Sequence, residues 1–147
     1  MVSMRDDARR LEDAAVPVKL KLSASWIALM LLYAYGDIIA YFRPGFIQDV
    51  IGGEVFVFDI DQVFLLGISA YIAIPALMVV LSLILKPQLN RWSNIVIAGI
   101  YAVTIMASVI GDDYVYYYFL SALETAIALL IVWFAWTWPK CSTDSPV

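Results

Sequence analysis

The chain is predicted to be all-α, an integral membrane four-helix bundle, and three observations carry that expectation. Its 147 residues are 63% hydrophobic with a mean hydropathy of +0.86, well above the roughly half-apolar make-up of soluble domains. Four continuous apolar stretches each approach the roughly 20 residues that a helix needs to cross a hydrocarbon core about 30 Å thick. Basic residues gather on one side of those stretches and acidic residues on the other.

Residues 1–22 form a charged cytoplasmic segment; MRDDARRLEDAA is too polar for a cleavable signal peptide. Asp6 with Arg10, and Arg9 with Asp13, stand four apart, as in a short solvated helix before Pro17. A sparse stripe of Met4, Ala8, Leu11 and Ala15 gives that helix a weak membrane-facing side. In VKLKL, Lys19 and Lys21 are expected to snorkel to anionic headgroups and fix the first span.

The spans are placed at 23–42, 62–85, 93–110 and 114–138, followed by a polar tail over 139–147. Unbroken apolar runs, rather than the alternation of a membrane barrel, favour helices, because hydrocarbon leaves no partner for open backbone groups. The link between the second and third spans is short, which predicts antiparallel neighbours. In the outer loop, 43–61, Pro44 is expected to open a short helix, PGFIQDVI, that Gly52-Gly53 closes. Too apolar to float free, this loop is expected to pack at the bilayer surface, or alternatively to fold as a lid over the outer mouth.

Orientation follows from charge. Arg5, Arg9, Arg10, Lys19, Lys21, Lys86, Arg91 and Lys140 fall on one side and Arg43 alone on the other, with Asp49, Glu54, Asp59, Asp61, Asp112 and Asp113. The positive-inside rule then puts both termini and the middle link in the cytoplasm, the protein being a multi-pass protein of the inner (plasma) membrane. Trp26, Trp92, Trp136 and Trp138 at the cytoplasmic ends, with Tyr41, Tyr114, Tyr116, Tyr117 and Tyr118 opposite, fit interfacial belts.

Composition also excludes. The net charge of −4 offers phosphates no basic surface, so no nucleic-acid partner is expected. With no histidine, imidazole zinc sites, histidine-held haem and Ser-His-Asp triads are ruled out together. The single cysteine, Cys141, makes neither an internal disulfide nor a CxxC pair and reads as an exposed thiol. No glycine-rich phosphate loop occurs. No cofactor, metal site or catalytic residue is expected.

Two ionisable groups fall inside spans, where they raise a functional question. Asp37 lies roughly 8 Å from the outer end of its span and Glu124 roughly 15 Å from the same face. Tyr33, Asp37 and Tyr41 share one face of the first span, and Tyr117, Ser121, Glu124 and Ala128 follow helical spacing on the fourth. Tyr101, Thr104 and Ser108 make a polar seam on the third. The second adds Ser69, Tyr71 and Pro75, whose ring frees a carbonyl about one turn back. The candidate intramembrane polar site is therefore Glu124, Asp37, Tyr33, Tyr41, Tyr101, Thr104, Tyr117 and Ser121. Two readings stay open for Glu124: a neutral carboxyl that donates between helices, or a proton- or cation-binding group. Asp37 is expected either to pair with Arg43 near the interface or to share in that site.

The runs AIP-x-LMV-x-LSL (Ala73 to Leu83), NRW-x-N (Asn90 to Asn94) and VW-x-AW-x-WP (Val132 to Pro139) resemble an uncharacterised family of small four-span prokaryotic integral membrane proteins. The resemblance covers about Lys19 to Pro139. It implies an inner-membrane helical protein and assigns no activity and no functional residue. On the residues alone, the leading function is a non-catalytic accessory or oligomeric membrane component, with the bilayer and a homo-oligomer or membrane protein as partners. The alternatives are a small proton- or cation-coupled transporter or sensor, and a quinone- or lipid-linked membrane enzyme.

Overall fold

The computed structural model describes residues 15–55 and 58–139. The expected stripe of Met4, Ala8 and Leu11, and the Cys141 thiol, lie outside the described residues. A long helix α1 (Val18–Ala40) leads to a short α2 (Phe46–Gly52) and a minimal antiparallel ribbon of β1 (Glu54–Val55) and β2 (Phe58–Asp59). Three more long helices follow: α3 (Gln62–Ile84), α4 (Pro87–Ser108) and α5 (Val115–Trp136). The ribbon is an addition to the all-α expectation; alternation in EVFVFDI is its sequence trace.

Local chemistry sets the ends. The Asp61 carboxylate accepts from the Phe64 N–H at 2.7 Å and caps α3. Pro87 opens α4 at its first position, where a missing N–H is harmless. Gly45 and Gly53, at φ 87° and 88°, bracket α2 in left-handed conformations that a side chain would strain. Both α1 and α4 begin earlier than their apolar runs, because the polar residues of their first turns find partners within the fold.

Among the described residues three helices, α1, α3 and α5, are long and apolar enough to cross a membrane. Though of similar length, α4 has Gln88, Asn90, Arg91 and Asn94 in its early turns, and so falls short on composition. Large apolar side chains stand exposed along all four long helices, Leu66, Val103, Phe119 and Leu129 among them.

The helix α1 packs against both α3 and α5, and α5 against α4. Despite a link of only Leu85 and Lys86, α3 and α4 approach less closely than α1 does α3 or α5, or α4 does α5, and these neighbours are joined chiefly by side chains. That spacing is filled by Tyr71 and Tyr101, stacked at 4.6 Å between centroids. Tyr71 is the residue whose carbonyl Pro75 deprives of its helical donor. The Tyr101 hydroxyl donates to that carbonyl. Thr104 donates to the Tyr101 carbonyl at 3.0 Å, which makes the Tyr71 hydroxyl the donor in its 2.7 Å bond to Thr104.

At the end where α1 begins, here the lower end, a buried polar core joins three helices. Trp26 Nε1 donates to Asn94 Oδ1 at 2.7 Å, and Ser82 Oγ to the same oxygen at 3.2 Å. The Asn94 amide donates to the Asn90 carbonyl and side-chain oxygen, and the Asn90 amide donates to the Ser82 carbonyl at 2.6 Å. Trp26, Ser82, Asn90 and Asn94 are all fully buried. The Lys19 ammonium donates to the Leu83 and Leu85 carbonyls at 3.0 and 2.8 Å, capping the end of α3, a task that the snorkelling expectation did not include.

A mutant cycle tests the proline-freed carbonyl. Tyr101→Phe should lower stability in detergent by about 1–3 kcal/mol, the cost of a buried acceptor left unmade. In a Pro75→Ala background, where residue 75 regains its N–H, the same change should cost clearly less. Additive losses in the unfolding midpoints would refute the coupling.

Candidate functional site

The sequence-predicted residues fall into three groups. Glu124 of α5 faces α1 at Gly36, with Tyr33 one turn before that glycine and Asp37 next to it, and Tyr117 stands two turns before Glu124 on α5. Tyr101 and Thr104 belong to the aromatic column with Tyr71. Ser121 is buried, but it lines a shallow groove with Met106 and Val109 of the α4 side. Tyr41 is not part of the site; it caps the end of α1 and packs edge-on against Phe46 at 5.6 Å.

Glu124 sits deep in α5 with 8% of its surface exposed. Its oxygen faces Gly36 of α1: a Cβ built there would lie 3.9 Å from Oε1 and 3.6 Å from Leu120 Cδ1. Among the described residues the carboxyl has no hydrogen-bond partner. The hydrogen bonds that bridge helices are made by Tyr101, Tyr71, Thr104 and the asparagines. Tyr33 stands one turn from Gly36, its ring 6.4 Å from those of Tyr71 and Tyr101, and its buried hydroxyl closes no hydrogen bond of good geometry. Asp37 is on the exposed flank of α1, next to Gly36.

Above this seam, at the upper end, Arg43 forms its ion pair with Asp112, Nη1 to Oδ2 at 2.9 Å, the side chains only 8% and 9% exposed. Its Nε donates to the Tyr116 hydroxyl, and its guanidinium carbon lies 4.3, 5.0 and 5.3 Å from the rings of Tyr114, Tyr116 and Tyr117. Burial works against the Arg43 charge, but the bonds to Tyr116 and Asp112 outweigh it and raise the guanidinium above its usual range. Asp112 also accepts from the Tyr114 N–H at 2.8 Å and so shapes the entry to α5. Tyr117 donates to Ser108 Oγ at 2.9 Å, linking α5 to α4 between this clamp and Glu124.

The profile of a family described as a family of unknown function, DUF6326, matches residues 15–145. The chain belongs to that family. No curated protein and no solved structure matches it. Membership in DUF6326 agrees with the resemblance carried by the Ala73–Leu83, Asn90–Asn94 and Val132–Pro139 runs, and it transfers no residue role.

Reading the sequence missed Gly36, the Arg43–Asp112 clamp and the buried asparagines. Asn90 and Asn94 at i, i+4 beside a short link were a usable signal for the last. Nothing local marked the others, whose partners lie 69 or more positions away.

Separating the two tasks of Asp112 gives a test. Asp112→Ala removes both the buried ion pair and the Tyr114 cap, and should cost about 3–5 kcal/mol. Asp112→Asn keeps the side-chain oxygen for Tyr114 and should cost measurably less. Equal unfolding midpoints for the two variants would show that only the charge matters.

Proposed function

We propose that this is a four-span membrane protein with cytoplasmic ends, working as a small proton- or cation-coupled transporter or sensor through the Glu124 carboxyl. The observation that carries the reading is the buried Glu124 carboxyl without a hydrogen-bond partner among the described residues. A carboxyl kept only to join helices would be bonded to one of them. Gly36 leaves room beside it.

For the fourth span, the support is that α4 matches its neighbours in length and that its two asparagines are satisfied inside the fold. Beyond Asn94 the helix is apolar almost throughout. The distribution of Lys and Arg supports a cytoplasmic lower end. An accessory or oligomeric role is the second reading. It draws on an exposed apolar groove on α4, lined by Ile95, Val96, Gly99, Ile100, Val103 and Thr104, with the small residue that close helix contacts favour.

Reconstituted wild-type protein should show a pH-dependent proton flux or tryptophan fluorescence change that Glu124→Gln abolishes at an unchanged unfolding midpoint. Loss of folded yield with no separate loss of response would favour the accessory reading. Topology has its own check: in a Cys141→Ser background, Gln88→Cys should react with an impermeant thiol reagent only after cells are opened. Labelling of intact cells would overturn the orientation.

A further inference from the structure

At the lower end, Arg91 stands in the second turn of α4, its guanidinium carbon 5.8 Å from the Trp92 ring and 5.6 Å from the Trp136 ring of α5. Its Nε is buried and closes no hydrogen bond, and no ion pair reaches the side chain among the described residues. One turn above Arg91 and Trp92, Ile95 and Val96 open the shallow apolar groove that continues past Gly99, Ile100 and Val103 to Thr104. We propose that these two features are one site, which binds a single anionic phospholipid with its phosphate on Arg91 and an acyl chain in the groove.

Charge selects the headgroup. The two indoles attract the guanidinium without using its hydrogen bonds. Its terminal nitrogens keep the fork that a phosphate takes in two parallel bonds. A guanidinium half-buried against indoles, with one nitrogen shut off from water, gains from an anion. The protein supplies none nearby among the described residues: Lys19, Lys21, Lys86 and Arg91 occupy the lower end, and the described Asp and Glu residues lie from Glu124 upward. A headgroup that carries its own ammonium would find no acid to pair with there, so one of net negative charge fits best.

Length selects the tail. From Ile95 to Thr104 the helix rises roughly 14 Å, close to half of a hydrocarbon core about 30 Å thick. That is the depth of one leaflet, and it begins beside an exposed tryptophan of the kind that marks the headgroup level. An acyl chain hanging from a phosphate at Arg91 matches it, whereas a second transmembrane helix would need a seam along the whole of α4. Gly99 keeps the groove open, since a Cβ built there meets no atom within 4 Å. The site is independent of Glu124 and takes from the proposed function only α4 as a span whose lower end meets headgroups.

The test uses the full chain, freed of lipid in a neutral detergent and titrated with phosphatidylglycerol or phosphatidylcholine. Native mass spectrometry counts the lipid retained, and the unfolding midpoint follows its binding. Wild type should hold one phosphatidylglycerol per chain with a saturable rise in midpoint, and bind phosphatidylcholine about tenfold less tightly or worse. Arg91→Gln should change the lipid-free midpoint little, because Nε closes no bond in the fold, and weaken phosphatidylglycerol by about tenfold or more. Gly99→Leu enters open space, so it should fold normally and also weaken the lipid. Inorganic phosphate at equal ionic strength should not displace it. Equal retention of both lipids by the wild type, undiminished binding in either folded variant, or displacement by inorganic phosphate would overturn the site. A lipid-free dimer that Gly99→Leu dissolves would give the groove to a second copy instead. Loss of this site would leave the comparison of wild type with Glu124→Gln untouched, since neither variant alters the α1–α5 seam.

Discussion

A proline in the middle of an apolar helix leaves a carbonyl that hydrocarbon cannot solvate, and much of this structure follows from how Pro75 is answered. Tyr101 supplies the missing donor to the Tyr71 carbonyl from the next helix. To reach it, the Tyr101 ring stacks on Tyr71, which sets the wide spacing of α3 and α4 and places Tyr33 and Trp26 against the same column. The polar bridging is done there and at Asn90 and Asn94, and Glu124 closes none of these bridges.

Long cationic side chains then tie α1 at both of its ends. Lys19 holds the last carbonyls of α3 at one end, and Arg43 reaches Asp112 before α5 at the other. Neither is a surface ion pair of the kind worth little; each charge meets groups that would otherwise be open or buried alone. Between these fixed points, one on α3 and one before α5, α1 carries Tyr33, Gly36 and Asp37.

Much of this architecture was legible because it depends on local patterns. Apolar length gave the long helices, Pro44 and the glycine pair gave α2, and the freed carbonyl could be inferred from Pro75 alone. What answers that carbonyl could not, since Tyr101 and Tyr71 are 30 positions apart and hydroxyl partners leave no periodic trace. The Lys19 bond to the end of α3 was hidden for the same reason, its Leu83 partner lying 64 positions away. For the candidate site, spacing found Glu124, Asp37 and Tyr33, but Gly36 has no side chain to signal that it faces a carboxyl.

The pairing of Pro75 with Tyr101 also bears on how such a chain enters a bilayer. Were α3 to partition into lipid by itself, it would bring an unanswered carbonyl; α4, with its asparagines, lacks the apolarity to enter unaided. Each removes the other's difficulty, through Tyr101 to the Tyr71 carbonyl and the Asn90 amide to the Ser82 carbonyl. The two-residue connection between them keeps the partners within reach from the moment both are synthesised. On the four-span reading proposed above, helices α3 and α4 would enter the bilayer as one hairpin.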